Sequence, residues 1–398
     1  MNSGTQDVVR ICSDLVKIRS ENPPGYTDEV IRYISDFCNT IGLDTVVKTR
    51  GRRHNLLSAK PQGRLLLCGH VDVVPALDEG WTFPPYSGLI TEEFVHGRGS
   101  TDMKGGCAAL LAALASVIES HGDPGVDIAF VADEEGKGEF GMEQLVGEGI
   151  ISPCDAIIAE PSPSTCPIVG EKGVLRTRIT FSGDAGHASL HPVTGNSAIM
   201  QACQFLGTCQ TLHERVWPLD PVTEKAVGST TRALKGLIEI SAQEAERILS
   251  RVMYNPGMIQ GGERVNVIAQ RCILDMDMRI PWGCSIDEVI RILRDAHPQA
   301  IVDVVESADP SFSTPGWLSG IVCDGIHSVM QVQAEPGVSQ AASDARYLRK
   351  HGAEVVVYGP GDLNLLHSVN ENVPITMLRD CQQVYEYVLK NLNSMTRS

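Results

Sequence analysis

Three short apolar runs in the first 160 residues each stop at side chains that hold protons or metals. Leu65–Cys68 runs through Gly69 into His70, Val126–Ala132 into Asp133, Glu134 and Glu135, and Ala156–Ala159 into Glu160. Runs of this length, bounded by glycine and polar residues, read as buried strands. Helical spacing lies between and around them. Residues 27–42, TDEVIRYISDFCNTIG, follow an Asn22-Pro23-Pro24-Gly25 turn and open on a Thr cap with early acids. Val30, Ile31, Ile34, Phe37 and Cys38 supply the apolar stripe. After Gly105-Gly106, residues 107–120 form an Ala/Leu-rich helix. Strands alternating with helices, with polar groups at the strand ends, are the α/β pattern, in which ligands bind at the carboxyl ends of strands. The expected fold is α/β, a central mixed sheet flanked by helices.

The texture changes near Lys172-Gly173. Val174–Ser182 alternates like a strand with one exposed face, and a helix rich in small residues is expected near 196–213. Residues 265–280 look like two antiparallel strands or one bent strand, and 285–296 like a helix. This predicts an α+β domain, 174–297, inserted into a discontinuous main domain of 1–173 and 298–398. The main domain would resume with Ala300–Val305, a 316–330 helix, Glu354–Tyr358 and a last helix over 376–391.

The strand ends carry the chemistry. Acidic and imidazole ligands without thiolates suit one or two divalent ions, zinc first. His70 and Asp72, two apart, can share a face, so that His70 binds metal while Asp72 takes its other ring N–H. Asp102, in GRGSTDMKGG, has two oxygens to bridge a pair of ions; the alternative is a cap for the following helix. Adjacent Glu134 and Glu135 point apart if on a strand. One, Glu135, then binds metal while Glu134 takes a proton from activated water; the alternative is an exposed acidic turn, DEEGKGE. Glu160 is costly to bury without a partner and is a further ligand. His367, in LNLLHSVNE, completes the set.

Composition narrows the rest. With 33 Lys plus Arg against 49 Asp plus Glu, the chain carries a formal charge of −16, which argues against a nucleic-acid partner. No apolar run is long enough for a membrane span, and the polar MNSGTQDVVRICSD start lacks the apolar core of a signal peptide. Twelve Cys without a CxxC spacing, among them Cys68, Cys107, Cys203 and Cys272 in apolar surroundings, read as core thiols in a reducing cytoplasm. A thiol or redox protein is the rival reading, against which their scattered spacing speaks.

The five segments CGHVDVVP, GRGSTDMKGG, ADEEGKGEFG, IIAEPS and LNLLHSVNE together resemble the M20 metallopeptidases and deacylases, over essentially the whole chain. The resemblance implies a zinc exopeptidase-like sheet and two Zn2+ per subunit, with Co2+ or Mn2+ able to substitute. His70 and Glu160 would hold one ion, Glu135 and His367 the other, and Asp102 would bridge them through a residue whose next peptide bond is typically cis. Glu134 would be the general base and Asp72 the orienting partner of His70. GDAGHASLHP resembles the segment whose His, here His187, reaches the partner subunit's substrate and helps hold the oxyanion. ERVNVIAQ places Asn266 in a substrate loop, and MDMRIP places Asp277 and Arg279. SQAASDARYL makes Ser343, Asp344 and Arg346 candidates for the substrate rim, with Ala342 where desuccinylases of the family carry Thr.

The inserted domain would act as a lid and dimer interface. The implied reaction is hydrolysis of the amide of a small N-acyl amino acid, N-succinyl-L,L-diaminopimelate first. N-acetylornithine or another N-acyl amino acid comes next, then a dipeptide or carboxypeptidase substrate. A silent binding protein on the same fold is the non-enzymatic alternative, against which the intact Glu134 and ligand set argue.

Overall fold

Leu66–His70, Asp127–Val131 and Ala156–Ile158 lie side by side and parallel, with His70 opposite Val131. The polar residues that follow all three strands therefore emerge at one end of one sheet. The computed structural model describes residues 7–392 apart from 137, 139, 236, 238 and 239. Residues 1–6 of the polar start and Lys137 and Glu139 of the acidic turn fall outside that set.

The strands belong to a mixed nine-stranded sheet. Its order is Thr45–Arg50, Arg53–Ser58, Asp127–Val131, Leu66–His70, Ala156–Ile158, Val355–Val357, Ile168–Glu171 and Ser311–Phe312, with Gly337–Ser339 also pairing Ile168–Glu171. Alternate residues of the central strands feed two cores. Leu67, Phe130, Ile157 and Val356 face Val8–Lys17, Asp28–Thr40, Lys104–His121, Trp317–Met330 and Ile375–Asn391. Leu66, Cys68, Val131 and Ile158 face the short helices Met142–Gly147 and Ala345–Arg349. A strand buried on both faces has no need to alternate, which is why these runs read as continuously apolar.

Lys104–His121 runs close against the residues that follow Ala156–Ile158. Gly106 allows this, since a Cβ there would stand 1.9 Å from the carbonyl oxygen of Ala159, beside Glu160. Leu110, Leu111 and Leu114 are fully buried along it, and truncating any one to Ala would cost about 2–5 kcal/mol. The first long helix departs from expectation at its start. Thr27 does not cap Asp28–Thr40. Its hydroxyl donates to the His54 carbonyl at 2.9 Å and accepts the His54 N–H at 2.7 Å, tying the helix to the strand Arg53–Ser58.

A second sheet has the order Met253–Gly261, Arg271–Ile280, Gly173–Ser182, Ile301–Ala308. Helices Ala198–Glu214 and Ile286–Ala296 cover one face over Phe181, Phe205, Leu274, Val289 and Leu293. Arg271–Ile280 is one strand, and residues 265–270 lead into it without strand structure, apart from a single bridge at Val267. Ile301–Ala308, expected to resume the main sheet, pairs antiparallel with Gly173–Ser182 instead. Its apolar and β-branched composition suits either sheet; long-range pairing decides.

Two further helices of this stretch, Pro221–Leu234 and Ala242–Ser250, leave the second sheet and pack on the first. Ala226, Val227 and Leu249 cluster with Trp282 and Val338. Thr230 Oγ1 donates to the Val338 carbonyl at 2.8 Å and accepts the Val338 N–H at 2.7 Å. Lys172, between the two sheets, buries its Nζ against the carbonyls of Ile248, at 2.7 Å, and Arg251. All twelve cysteines are free thiols; Cys203, expected in the core, is exposed. Among the described residues no helix is long and apolar enough to cross a membrane.

Candidate metal centre

His70, the last residue of its strand, is 2 % exposed. Its Nε2 stands 3.1 Å from Asp102 Oδ1 and 3.2 Å from Glu160 Oε1. His367 Nε2 stands 3.2 Å from Asp102 Oδ2 and 3.2 Å from Glu135 Oε1. One carboxylate thus faces both imidazoles, one oxygen each. Donor atoms of His70, Asp102 and Glu135 lie within 4.8 Å of one another, as do those of His70, Glu134 and Glu160.

Local structure explains each placement. Asp102 is followed by a cis peptide to Met103. The helix begins at Lys104 without a side-chain cap, so the capping alternative for Asp102 does not hold. Glu134 and Glu135 lie in a turn beyond their strand, not on it, after Asp133 with φ 68°. Asp133 is buried and the N–H groups of Glu134 and Glu135 donate to Asp72, so these residues of the turn are held against the site.

The backbone carbonyl of Asp72, not its carboxylate as expected, meets the second ring nitrogen of His70. His70 Nδ1 lies 3.0 Å from the Asp72 backbone carbonyl and 3.6 Å from its carboxylate. The carboxylate accepts the N–H of Glu134 at 3.2 Å and of Glu135 at 3.1 Å, and the amide of Asn22 at 2.9 Å. Asn22 also donates to Asp133 at 2.8 Å. The Asn-Pro-Pro-Gly segment, legible only as a turn, therefore supports the loop that carries Glu134. Arg98 and Glu371, a buried ion pair behind Asp102, also escaped the sequence reading. Both act through backbone groups, which leave no residue pattern.

The electrostatics ask for cations. Burial pushes the Glu134 carboxyl well above the usual range, with Glu160 nearby adding to it. Burial and Asp102 push Glu160 up to about 8, and burial also raises Glu135. Burial opposes ionisation of Asp102, but hydrogen bonds from His367 and His70 outweigh it and hold it below the usual range. Hydrogen bonds to Asp102 and Glu135 raise His367 to about 10. Carboxylates gathered at this spacing favour added positive charge, from protonated imidazoles or from metal ions. An all-oxygen and imidazole donor set of this kind fits divalent metal ions.

A cavity of about 370 Å³ opens over this cluster. Asp102, Glu134, Glu135, Glu160 and His367 line one side. Arg176, Arg279, Ser343 and Arg346 line it as well. Arg279 Nε is held by Asp277 at 2.8 Å. Ser343 donates to Glu171 at 2.5 Å, and Glu171 pairs with buried Arg349 at 2.9 Å. Asp344, buried, is pushed up to about 7 by burial. Arg346 donates to Tyr347 at 2.8 Å through Nη2, and its buried Nε has no protein partner. His187 and Asn266 do not line the cavity. His187 Nδ1 is 2.7 Å from the Ser189 hydroxyl on an exposed turn. The Ala188 N–H donates to the Asn266 carbonyl at 3.1 Å, so the two expected substrate segments meet each other.

The chain is 27% identical to "Probable succinyl-diaminopimelate desuccinylase" of Staphylococcus epidermidis, over 97% of each chain. It is 27% identical to "Succinyl-diaminopimelate desuccinylase" of Psychromonas ingrahamii, over 97% of this chain and 98% of the other. Among solved structures, its fold is similar to the M20 family metallo-carboxypeptidase Sso-CP2 of Sulfolobus solfataricus, with a TM-score of 0.78 at 16% identity over 98% and 100% of the chains. Human carnosine dipeptidase 1 is similar at a TM-score of 0.75 and 16% identity, over 98% and 97%. The model of Peptidase family M20/M25/M40 matches residues 66–391, and with the ligand cluster at the strand ends the chain belongs to that family.

Proposed function

We propose that this protein removes the acyl group from an N-acyl amino acid at a dinuclear zinc centre, with N-succinyl-L,L-diaminopimelate as the first substrate. One observation carries this reading: a single cavity sets the acid–imidazole cluster against the guanidinium of Arg346, which also faces Glu306 at 3.7 Å on the same wall. A guanidinium suits a carboxylate in both shape and charge. The names of the curated relatives support the succinyl substrate.

His70 and Glu160 would hold one ion, His367 and Glu135 the other, with Asp102 between them. When bound, the ions would polarise the amide carbonyl and lower the pKa of water, and cobalt or manganese would serve in place of zinc. Glu134 takes a proton from the attacking water. The C–O bond forms, the C–N bond breaks, and Glu134 returns the proton to the departing amine nitrogen. Arg346 and Arg279 orient the substrate carboxylates. His187 and Asn266 act from a second copy of the chain, brought over the cavity by a dimer through the inserted region, and His187 holds the oxyanion. Twelve free thiols suit a reducing, cytoplasmic setting.

The test is primary-amine release by the zinc-loaded protein from N-succinyl-diaminopimelate, N-acetylornithine, other N-acyl amino acids and dipeptides. A preference for the succinyl substrate of about 100-fold, roughly 2.7 kcal/mol of transition-state discrimination, is expected. N-acetylornithine or a dipeptide winning by that margin would replace the substrate and keep the metal chemistry.

A further inference from the structure

Asp102 and His367 are the two ligands that buried parallel strands do not supply. Asp102 follows a glycine-rich turn. His367 sits in a loop with φ 59° and a side chain 53% exposed. One buried ion pair reaches both. Arg98 Nη1 meets Glu371 Oε2 at 2.5 Å, with side chains 4% and 0% exposed. Arg98 Nη2 donates to the His367 carbonyl at 3.2 Å. The other Glu371 oxygen accepts the N–H of Thr101 at 2.9 Å and of Asp102 at 3.1 Å. The two segments are joined again where the Gly97 N–H donates to the Glu371 carbonyl at 2.8 Å. Thr101 Oγ1 donates to the Asn372 carbonyl at 2.7 Å.

We infer that Arg98 and Glu371 are positioning residues for the second metal ion: they hold Asp102 and His367, from segments about 270 residues apart, at the separation that lets both face one ion. The inference rests on the dinuclear reading above. A buried ion pair is a poor stabiliser, since apolar residues of like volume do as well or better. This pair directs its remaining hydrogen bonds at the backbone of two ligand segments. Among the described residues His70 and Glu160 receive no hydrogen bond from it, and the first ion shares only Asp102 with the second. Loss of the pair should therefore weaken the ion between Asp102, Glu135 and His367 more than the other.

The experiment is calorimetric zinc titration of metal-free protein, comparing wild type with Glu371→Gln, Arg98→Lys and the double variant Arg98→Met/Glu371→Met. Circular dichroism and urea unfolding check each fold. Wild type is expected to take two ions. The variants should bind the second ion about 10–100-fold more weakly and lose clearly less on the first, which shares only Asp102 with it. The double variant leaves no unpaired buried charge, so its metal-free form should lose less stability than Glu371→Gln while showing the same loss of the second ion. Arg98→Lys keeps the charge but not the fork, and serves if the double variant does not fold. Folded variants that keep both affinities overturn the inference and leave the dinuclear reading standing. A wild type that takes fewer than two ions overturns both.

Discussion

The nine-stranded and four-stranded sheets both gather acids, and they treat them in opposite ways. On the exposed face of the four-stranded sheet Asp275, Asp277 and Glu306 meet arginines across the strands. Asp275 lies opposite Arg178 and Asp277 opposite Arg176, with contacts of 2.7 and 3.0 Å. Arg176 also takes Glu306 at 2.7 Å. At the ends of the nine-stranded sheet Asp102, Glu135 and Glu160 meet only imidazoles among the described ion pairs. A matched ladder is complete as it stands. A cluster of buried acids with two imidazoles is complete only with cations. Residue type is the same in both; the charge left unanswered marks the functional region.

Glu134→Gln is the sharpest way to test that contrast, because it alters chemistry without removing a ligand. Turnover should fall about 10²–10⁴-fold, with zinc content unchanged by elemental analysis. Near-normal turnover at normal zinc would remove Glu134 from the base role. Metal removal comes next. Chelation should lower the unfolding midpoint, and readdition of zinc at about 1,000 times its Kd should restore roughly 4 kcal/mol. A midpoint indifferent to zinc would mean that the acid cluster is balanced without cations. Arg346→Ala should raise KM for a succinylated substrate by about 10–100-fold, the loss of one charge-assisted hydrogen bond at about 1.5–3 kcal/mol. An equal effect on an acyl group lacking the second carboxylate would place Arg346 elsewhere on the substrate.

The seam between the sheets gives a pH prediction. Burial lowers Lys172 from its ordinary 10.5 to about 7. Below pH 7 both folded and unfolded chains hold the proton, and the cost of burying the charge is full. Between about pH 7 and 10.5 the unfolded chain binds more protons, so this group makes stability rise with pH. Urea midpoints across that range should climb more for wild type than for Lys172→Met; parallel curves would show that Lys172 stays charged. Smallest of all, Arg178→Ala breaks one exposed rung of the matched ladder. Turnover and unfolding midpoint should both be unchanged, and a loss of activity would mean that the exposed face is not merely structural.

The same contrast explains what could be read from the chain. His70, Glu134, Glu135 and Glu160 were legible because a polar residue at the end of an apolar run is local information. Asp102 and His367 were legible as residues, but their placement depends on Arg98 and Glu371, whose work passes through backbone amides and a carbonyl. Asn22 escaped for the same reason: only the fold brings it to Asp72 and Asp133. In the inserted region the alternation of Val174–Ser182 was visible, but strand Ile301–Ala308 was expected in the main domain and pairs with Gly173–Ser182 instead, since pairing is not encoded in one strand. His187 and Asn266 were named from motifs, and within one chain they meet each other and not the cavity.

Thr230 has a consequence beyond packing. Gly337–Ser339 lies at the margin of the main sheet, where an open strand would offer its amide and carbonyl to any extended segment nearby. By taking both polar groups of Val338, one threonine hydroxyl on a helix acts as a stopper against intermolecular strand addition. Shortening the 221–250 segment would therefore do more than reshape the cavity. It would expose a template for self-association, so that the first symptom in a trimmed variant would be insolubility, ahead of any change in substrate choice.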